Sequence, residues 1–191
     1  MRQAEIERQT KETYVYVSLN IDGKGEADVD TGVGFMDHML ELLAFHGNFD
    51  LKVRCKVDSH HTVEDLGIVL GQCFNKALGD KRGITRYGHF TIPMDEALVT
   101  TDLDFSGRPY LVFNVELDNI HLGNYEVEMT EEFFRAFAYN CFMTLHINEH
   151  YGKNTHHIIE AIFKSMARAI KEAVTIDEAH IGQVVSSKGV L

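Results

Sequence analysis

The chain has 191 residues, a formal charge of −11 and a pI near 5.4. That length suits one large domain or two small ones, and it buries a sizeable core. The acidic balance argues against nucleic acid as the main partner, since that role favours a basic face, and leaves open an anionic small substrate in a locally basic site. Cys55, Cys73 and Cys141 show no CxxC spacing, so neither a disulfide framework nor a thiolate zinc site is indicated, and a reduced cytoplasm fits. The opening MRQAEIERQTKET lacks an apolar signal core, and no run approaches the length of a membrane span. Two prolines and no low-complexity linker predict a single compact domain without a hinge.

Along the chain, residues 14–21 alternate Val15, Val17, Leu19 and Ile21 with polar or aromatic partners, which predicts a half-buried strand. Asp22-Gly23-Lys24-Gly25 predicts a turn, and 26–31 a short returning strand. Met36, Met39, Leu40 and Leu43 share one face of a predicted helix over 35–43. Phe49, Leu51, Val53, Cys55 and Val57 alternate as a strand, and a helix from His60 to about Leu78 ends at Gly79-Asp80. In the second half, 89–101 and 110–115 read as strands, broken by Ser106-Gly107-Arg108-Pro109, and 126–129 as another. A helix is predicted from Glu131 to about His146, and a last one ending near Val174. The order strands, helix, strand, helix thus occurs twice, which predicts an α+β fold built by internal duplication, its helices packed together against β-sheets. The halves are 1–88 and 89–185, followed by a polar, basic tail at 186–191.

One motif organises both halves. His60-His61-Thr62-Val63-Glu64 and His156-His157-Ile158-Ile159-Glu160 each stand at the start of a helical apolar pattern. Residues four apart share a helix face, so His60 with Glu64, and His156 with Glu160, can each grip one metal ion. Adjacent residues point about 100° apart, so His61 and His157 do not easily serve the same ion as their neighbours. Two such helices brought together, each lending its second His to the other's metal, would make a two-metal site. His38 and Glu132 precede the two motifs at matching places and bring the candidate ligands to eight. His and carboxylate donors without Cys suit Mn²⁺, Fe²⁺ or Zn²⁺. His46, His146 and His150 are ambiguous, and His89, His121 and His180 read as background. The ligand set alone also permits a dinuclear hydrolase, a metal-storage module, or a repeat protein with incidental histidines.

These residues resemble the imidazoleglycerol-phosphate dehydratase family, the manganese-dependent dehydratases of histidine biosynthesis. The resemblance covers nearly the whole chain. It rests on Arg8-x-Thr10-Lys11-Glu12-Thr13, Gly34-Phe35-Met36-Asp37-His38-Met39-Leu40, the two HHxxE motifs, Pro93-Met94-Asp95-Glu96-Ala97, Ser106-Gly107-Arg108-Pro109 and Ser186-Ser187-Lys188-Gly189. It implies the ribosomal protein S5 domain 2-like fold, two Mn²⁺ per active site, and an assembly of 24 subunits whose sites are completed by neighbouring chains. One ion would be held by His38, His61, His156 and Glu160, the other by His60, Glu64, His157 and Glu132. Many relatives have His at that last position. The implied substrate, imidazoleglycerol phosphate, loses water from its glycerol part to give imidazole-acetol phosphate. Glu12 would move the carbon proton, with Glu160 and His46 as further catalytic groups. His46 would also line the substrate pocket, with Lys164, His38, His60, Glu64 and His156 touching substrate. Arg86, Arg108, Ser186, Ser187 and Lys188 would hold the phosphate. The segment between Val57 and His60 is a few residues tighter than in many members.

Overall fold

Alternating apolar residues build two sheets of the same design. In the first half, β1 (Gln3–Gln9) and β2 (Tyr14–Asn20) form a hairpin. β3 (Ala27–Asp30), α1 (Gly34–Gly47), β4 (Asp50–Lys56) and α2 (Ser59–Leu78) follow. The strand order is β1-β2-β4-β3, with β3 parallel to β4 and the other pairs antiparallel. The second half restarts with the hairpin of β5 (Tyr87–Met94) and β6 (Ala97–Asp104), then β7 (Tyr110–Asn114). A small added hairpin, β8 (His121–Leu122) with β9 (Tyr125–Glu126), precedes α3 (Met129–Cys141), β10 (Thr144–Tyr151) and α4 (Thr155–Val174). Here the order is β5-β6-β10-β7, with β7 parallel to β10. First, second, fourth, third: the two halves share one topology, as the sequence repeat predicts. The structure is a computed structural model; it describes residues 1–56 and 59–191, without the side chains of 59 and 60. His60 as a ligand, and the tight segment before it, therefore lie outside the described residues.

The helices form the filling between the sheets, and they pair across the halves. α2 lies on β1 and β2, α4 on β5 and β6, while α1 packs against α4 and α3 against α2. Repeated HHxxE helices therefore do not become principal partners of one another in one chain, which corrects the expectation that they meet. Small residues set the closeness of the α2–α3 contact. A Cβ on Gly67 would lie 2.6 Å from the carbonyl oxygen of Phe133, and one on Gly71 2.6 Å from that of Phe137. The core at this seam is aromatic: Phe74 meets Phe137 edge-on at 5.5 Å, and Phe133 meets Phe163 at 5.5 Å. Such pairs contribute about 0.5–1.5 kcal/mol each beyond their buried area.

Several predicted boundaries move. The single strand over 89–101 is two, folded at Asp95-Glu96, where Asp95 takes a left-handed φ of 48°. The strand over 126–129 ends at Glu126, and Met129 already opens α3. The helix expected to reach His146 stops at Cys141, because Phe142 turns left-handed (φ 54°) and closes it. Leu145 and Ile147 then alternate into the core from β10, a strand the helical reading had absorbed. The helix over 35–43 runs on to Gly47, which places His46 in its last turn. Cys73 and Cys141 are buried and Cys55 half-buried; burial pushes each thiol up to about 12. Among the described residues, no helix is long and apolar enough to cross a membrane.

Candidate metal centre

The second motif is built into its helix start. Asn154 caps α4 by accepting from the amides of His156 (2.9 Å) and His157 (3.4 Å), which satisfies backbone donors that a helix leaves open. The capped turn sends His156 and Glu160 out on one face, with Nε2 of His156 3.2 Å from Oε2 of Glu160. α1, packed against α4, brings His38 to the same place, its Nε2 3.8 Å from that carboxylate oxygen. One donor atom from each of His38, His156 and Glu160 lies within 4.8 Å of the other two. Two imidazole nitrogens and a carboxylate oxygen, converging with an open side, fit a divalent ion such as Mn²⁺.

The surroundings hold these donors in place. Phe35 meets the His156 ring edge-on at 5.0 Å. Glu41 faces Nδ1 of His38 at 3.9 Å. Lys164, one turn beyond Glu160, grips its other oxygen, Oε1, at 2.7 Å. Glu160 is 7 % exposed, and burial alone would push its carboxyl above the usual carboxylate range. The Lys164 bond and the charges of Lys164, His38 and His156 outweigh burial and hold the carboxyl below the usual range. His46, half-buried, is also shifted down: burial first, then the charges of Lys164 and Arg168, lower it, which favours the neutral ring.

His157 points elsewhere. Its Nδ1 is 2.8 Å from Oε2 of Glu96, and its Nε2 is 3.8 Å from Oδ2 of Asp95. The His157 bond, with backbone amides, pulls the Glu96 carboxyl down to about 2, and Glu96 in turn raises His157. The first motif forms another concavity of about 340 Å³, lined by His61, Glu64 and Asp65, by Arg8 near the end of β1 and by Thr10, Lys11 and Glu12 of the β1–β2 loop, and sharing no residue with the His38 trio. There Oε2 of Glu12 stands 4.0 Å from Nε2 of His61. Glu12 sits in the loop at the tip of the β1–β2 hairpin, not on a strand edge, and Asp65 fastens that loop through Arg8 (2.8 Å) and Thr13. Glu132 is exposed and faces Arg135 at 3.7 Å.

Of the seven expected ligands whose side chains are described, one chain thus gathers three, sets His61 and Glu64 beside Glu12, and leaves His157 and Glu132 apart from both. The expected phosphate groups form a third cluster. Arg86 donates to both oxygens of Asp104 (2.7 and 3.0 Å) and to the carbonyl of Val185 (2.7 Å), so it anchors the root of the tail. Gly107 meets Leu191, which sets Arg108 beside the tail that carries Ser186, Ser187 and Lys188. The Arg86 amide bonds to Ala173, at the far end of α4 from Glu160. Positions 160 and 173 are roughly 20 Å apart along a helix rising about 1.5 Å per residue. Among the ambiguous histidines, His150 bonds to Thr100 (2.6 Å), and His146 lies opposite Asp102 across the outer sheet. Asn154, Glu96, Phe35 and Glu41 had no assigned role in the sequence reading. The repeat could have exposed Glu96, because it occupies the hairpin tip that matches the one carrying Glu12.

Comparison with known proteins agrees over the whole chain. A family model described as imidazoleglycerol-phosphate dehydratase matches residues 31–170. The imidazoleglycerol-phosphate dehydratase of Lactococcus lactis subsp. cremoris is 63% identical over 199 residues, covering 100% of this chain and 98% of that one. That of Caldanaerobacter subterraneus subsp. tengcongensis is 57% identical over 195 residues, with 100% of each covered. The crystal structure of the Staphylococcus aureus dehydratase superposes with a TM-score of 0.85 at 42% identity, over 92% of this chain and 99% of that one. The Pyrococcus furiosus structure gives 0.85 at 34% identity, over 97% and 100%.

Proposed function

The chain belongs to the imidazoleglycerol-phosphate dehydratase family of hydro-lyases, and from that membership we propose that it dehydrates imidazoleglycerol phosphate to imidazole-acetol phosphate, a step of histidine biosynthesis in the cytoplasm, with two Mn²⁺ per active site. The observation that carries the reading is the convergence of His38, His156 and Glu160. Bound manganese would supply a fixed positive charge and a template for the ring nitrogens of the substrate. The chain's own groups do the rest. Glu160, ionised and gripped by Lys164, presents its free oxygen toward His38 and His156. His46, kept neutral at the end of α1, is suited to line the ring pocket. Glu12 is exposed on its hairpin loop and can take the carbon proton and return one. Arg108, Ser186, Ser187 and Lys188 offer donors for the phosphate, Arg in a bidentate fork. Arg86 supports that cluster by holding Asp104 and the tail root.

Three partial sites in one chain favour completion in trans. His61, Glu64 and Glu12 of one copy would close over His38, His156 and Glu160 of another, in a homo-oligomer of 24 subunits. The test is to strip the protein with chelator, add Mn²⁺ back, and follow imidazole-acetol phosphate formation. Return of turnover at about two ions per chain is expected. Stoichiometric Mn²⁺ binding without turnover would overturn the dehydratase reading and send the search toward a dinuclear hydrolase, which the same ligands permit.

A further inference from the structure

Duplication places a glutamate at the tip of the first hairpin of each half, opposite the second His of that half's motif. In the first half the pair is Glu12 and His61; in the second it is Glu96 and His157. The two glutamates address opposite ring nitrogens. Glu12 stands 4.0 Å from Nε2 of His61, while Glu96 binds Nδ1 of His157 at 2.8 Å. They also differ in how firmly they are held. Oε1 of Glu96 accepts from the amides of Asn154 (2.7 Å) and Lys153 (3.2 Å), the residues that lead into α4. Among the described residues Glu12 meets His61 only at 4.0 Å, and its side chain is 70 % exposed.

We propose that Glu96 is a positioning residue: it fixes the ring of His157, proton on Nδ1, so that Nε2 presents its lone pair to a metal ion. The inference rests on the reading of His157 as a ligand in the proposed site. A carboxylate behind a metal-binding imidazole sets the ring's tautomer and rotation, and its loss lowers metal affinity by about 10–100-fold. The same carboxylate ties the amides of Lys153 and Asn154, so one group orients both the ring and the turn from which His156 and His157 project. The repeat has thus assigned different tasks to two equivalent glutamates. Glu96 works behind a histidine, and Glu12 is left to face the substrate.

The test uses the intact chain, metal-stripped, titrated calorimetrically with Mn²⁺. Glu96→Ala should weaken one of the two ions by about 10–100-fold. Glu96→Gln, which keeps an acceptor oxygen for Nδ1–H, should restore most of that loss. Glu12→Gln should abolish turnover and leave Mn²⁺ affinity as in the parent. A second readout needs no metal: ¹H–¹⁵N correlation spectra at alkaline pH, where the ring is neutral, should show His157 with its proton on Nδ1 in the parent and on Nε2 in Glu96→Ala. That change distinguishes a positioning role from general damage to the loop. Parent-like Mn²⁺ binding or an unchanged tautomer in Glu96→Ala overturns this inference alone. Absence of stoichiometric Mn²⁺ in the parent overturns the metal reading, and this inference with it.

Discussion

At the start of α4, His156 and Glu160 are steadied by Asn154, Phe35 and Lys164, and His157 by Glu96. At the start of α2, the matching His61 and Glu64 are exposed, facing a loop that carries Glu12. The same topology and the same motif therefore give one prepared end and one open end. A repeat copies backbone layout, which depends on apolar spacing. It does not copy the polar contacts, which depend on single residues at hairpin tips and caps. The prepared end can present donors without rearrangement, and the open end, in the proposed assembly, would be completed by a neighbouring copy.

The largest expected effect would come from the buried carboxylate. Glu160→Gln should lower Mn²⁺-supported turnover by more than the ~10–100-fold typical of losing an outer-shell group. It should also lower the melting temperature, because Lys164 loses its partner. Glu64→Gln, at the open end, should match the loss of turnover with no change in melting. Full activity in Glu64→Gln would break the comparison by leaving the chemistry to the second half alone. An intermediate effect is expected at the α2–α3 seam. Gly67→Ala puts a methyl group against the Phe133 carbonyl, and such overpacking destabilises by about 1–3 kcal/mol. In a chain of this size that is about 2–4 °C in melting temperature per kcal/mol. Turnover should fall too, although no ligand changes, since α2 carries the open end. Unchanged turnover would mean that the position of α2 is irrelevant to the site.

The smallest effect compares the two helix ends that precede β4 and β10. Asn48 (φ 58°) closes α1 and Phe142 (φ 54°) closes α3, both left-handed. Asn tolerates that region, whereas a bulky side chain pays about 1–2 kcal/mol there. Phe142 is 46 % exposed, so replacement forfeits only part of a ring's burial. Phe142→Asn should stabilise by about 1 kcal/mol in chemical denaturation, with Asn48→Gly closer to neutral. A destabilised Phe142→Asn would show that the exposed ring contributes more than its backbone costs.

What the sequence disclosed follows the same division. Helical period and alternation located α1, α2, α4 and most strands, because burial on one face dictates spacing. The repeat aligned His38 with Glu132, and the αL closures at Asn48 and Phe142 preserve that offset. β10 escaped because Leu145 also continues the apolar face of α3, so only the left-handed Phe142 marks the break. The crosswise pairing of helices was not legible, since Gly67 and Gly71 act through backbone carbonyls distant in sequence. For the same reason the sequence did not show that the two helices carrying the motifs take different principal partners within one chain. Glu96 was quoted within a motif and given no role, because its meaning depends on a ring 61 residues away.

The three cysteines carry a practical consequence. With their thiols held near 12 and closed to solvent, Cys73 and Cys141 should ignore a thiol-directed alkylating reagent while the chain is folded, whereas Cys55 is only half-buried. Modification of Cys73 or Cys141 then records an excursion out of the native state. Cys73 reports on the half that begins open and Cys141 on the half that begins prepared. Peptide mapping after timed exposure would therefore rank the kinetic fragility of the two halves without any introduced probe.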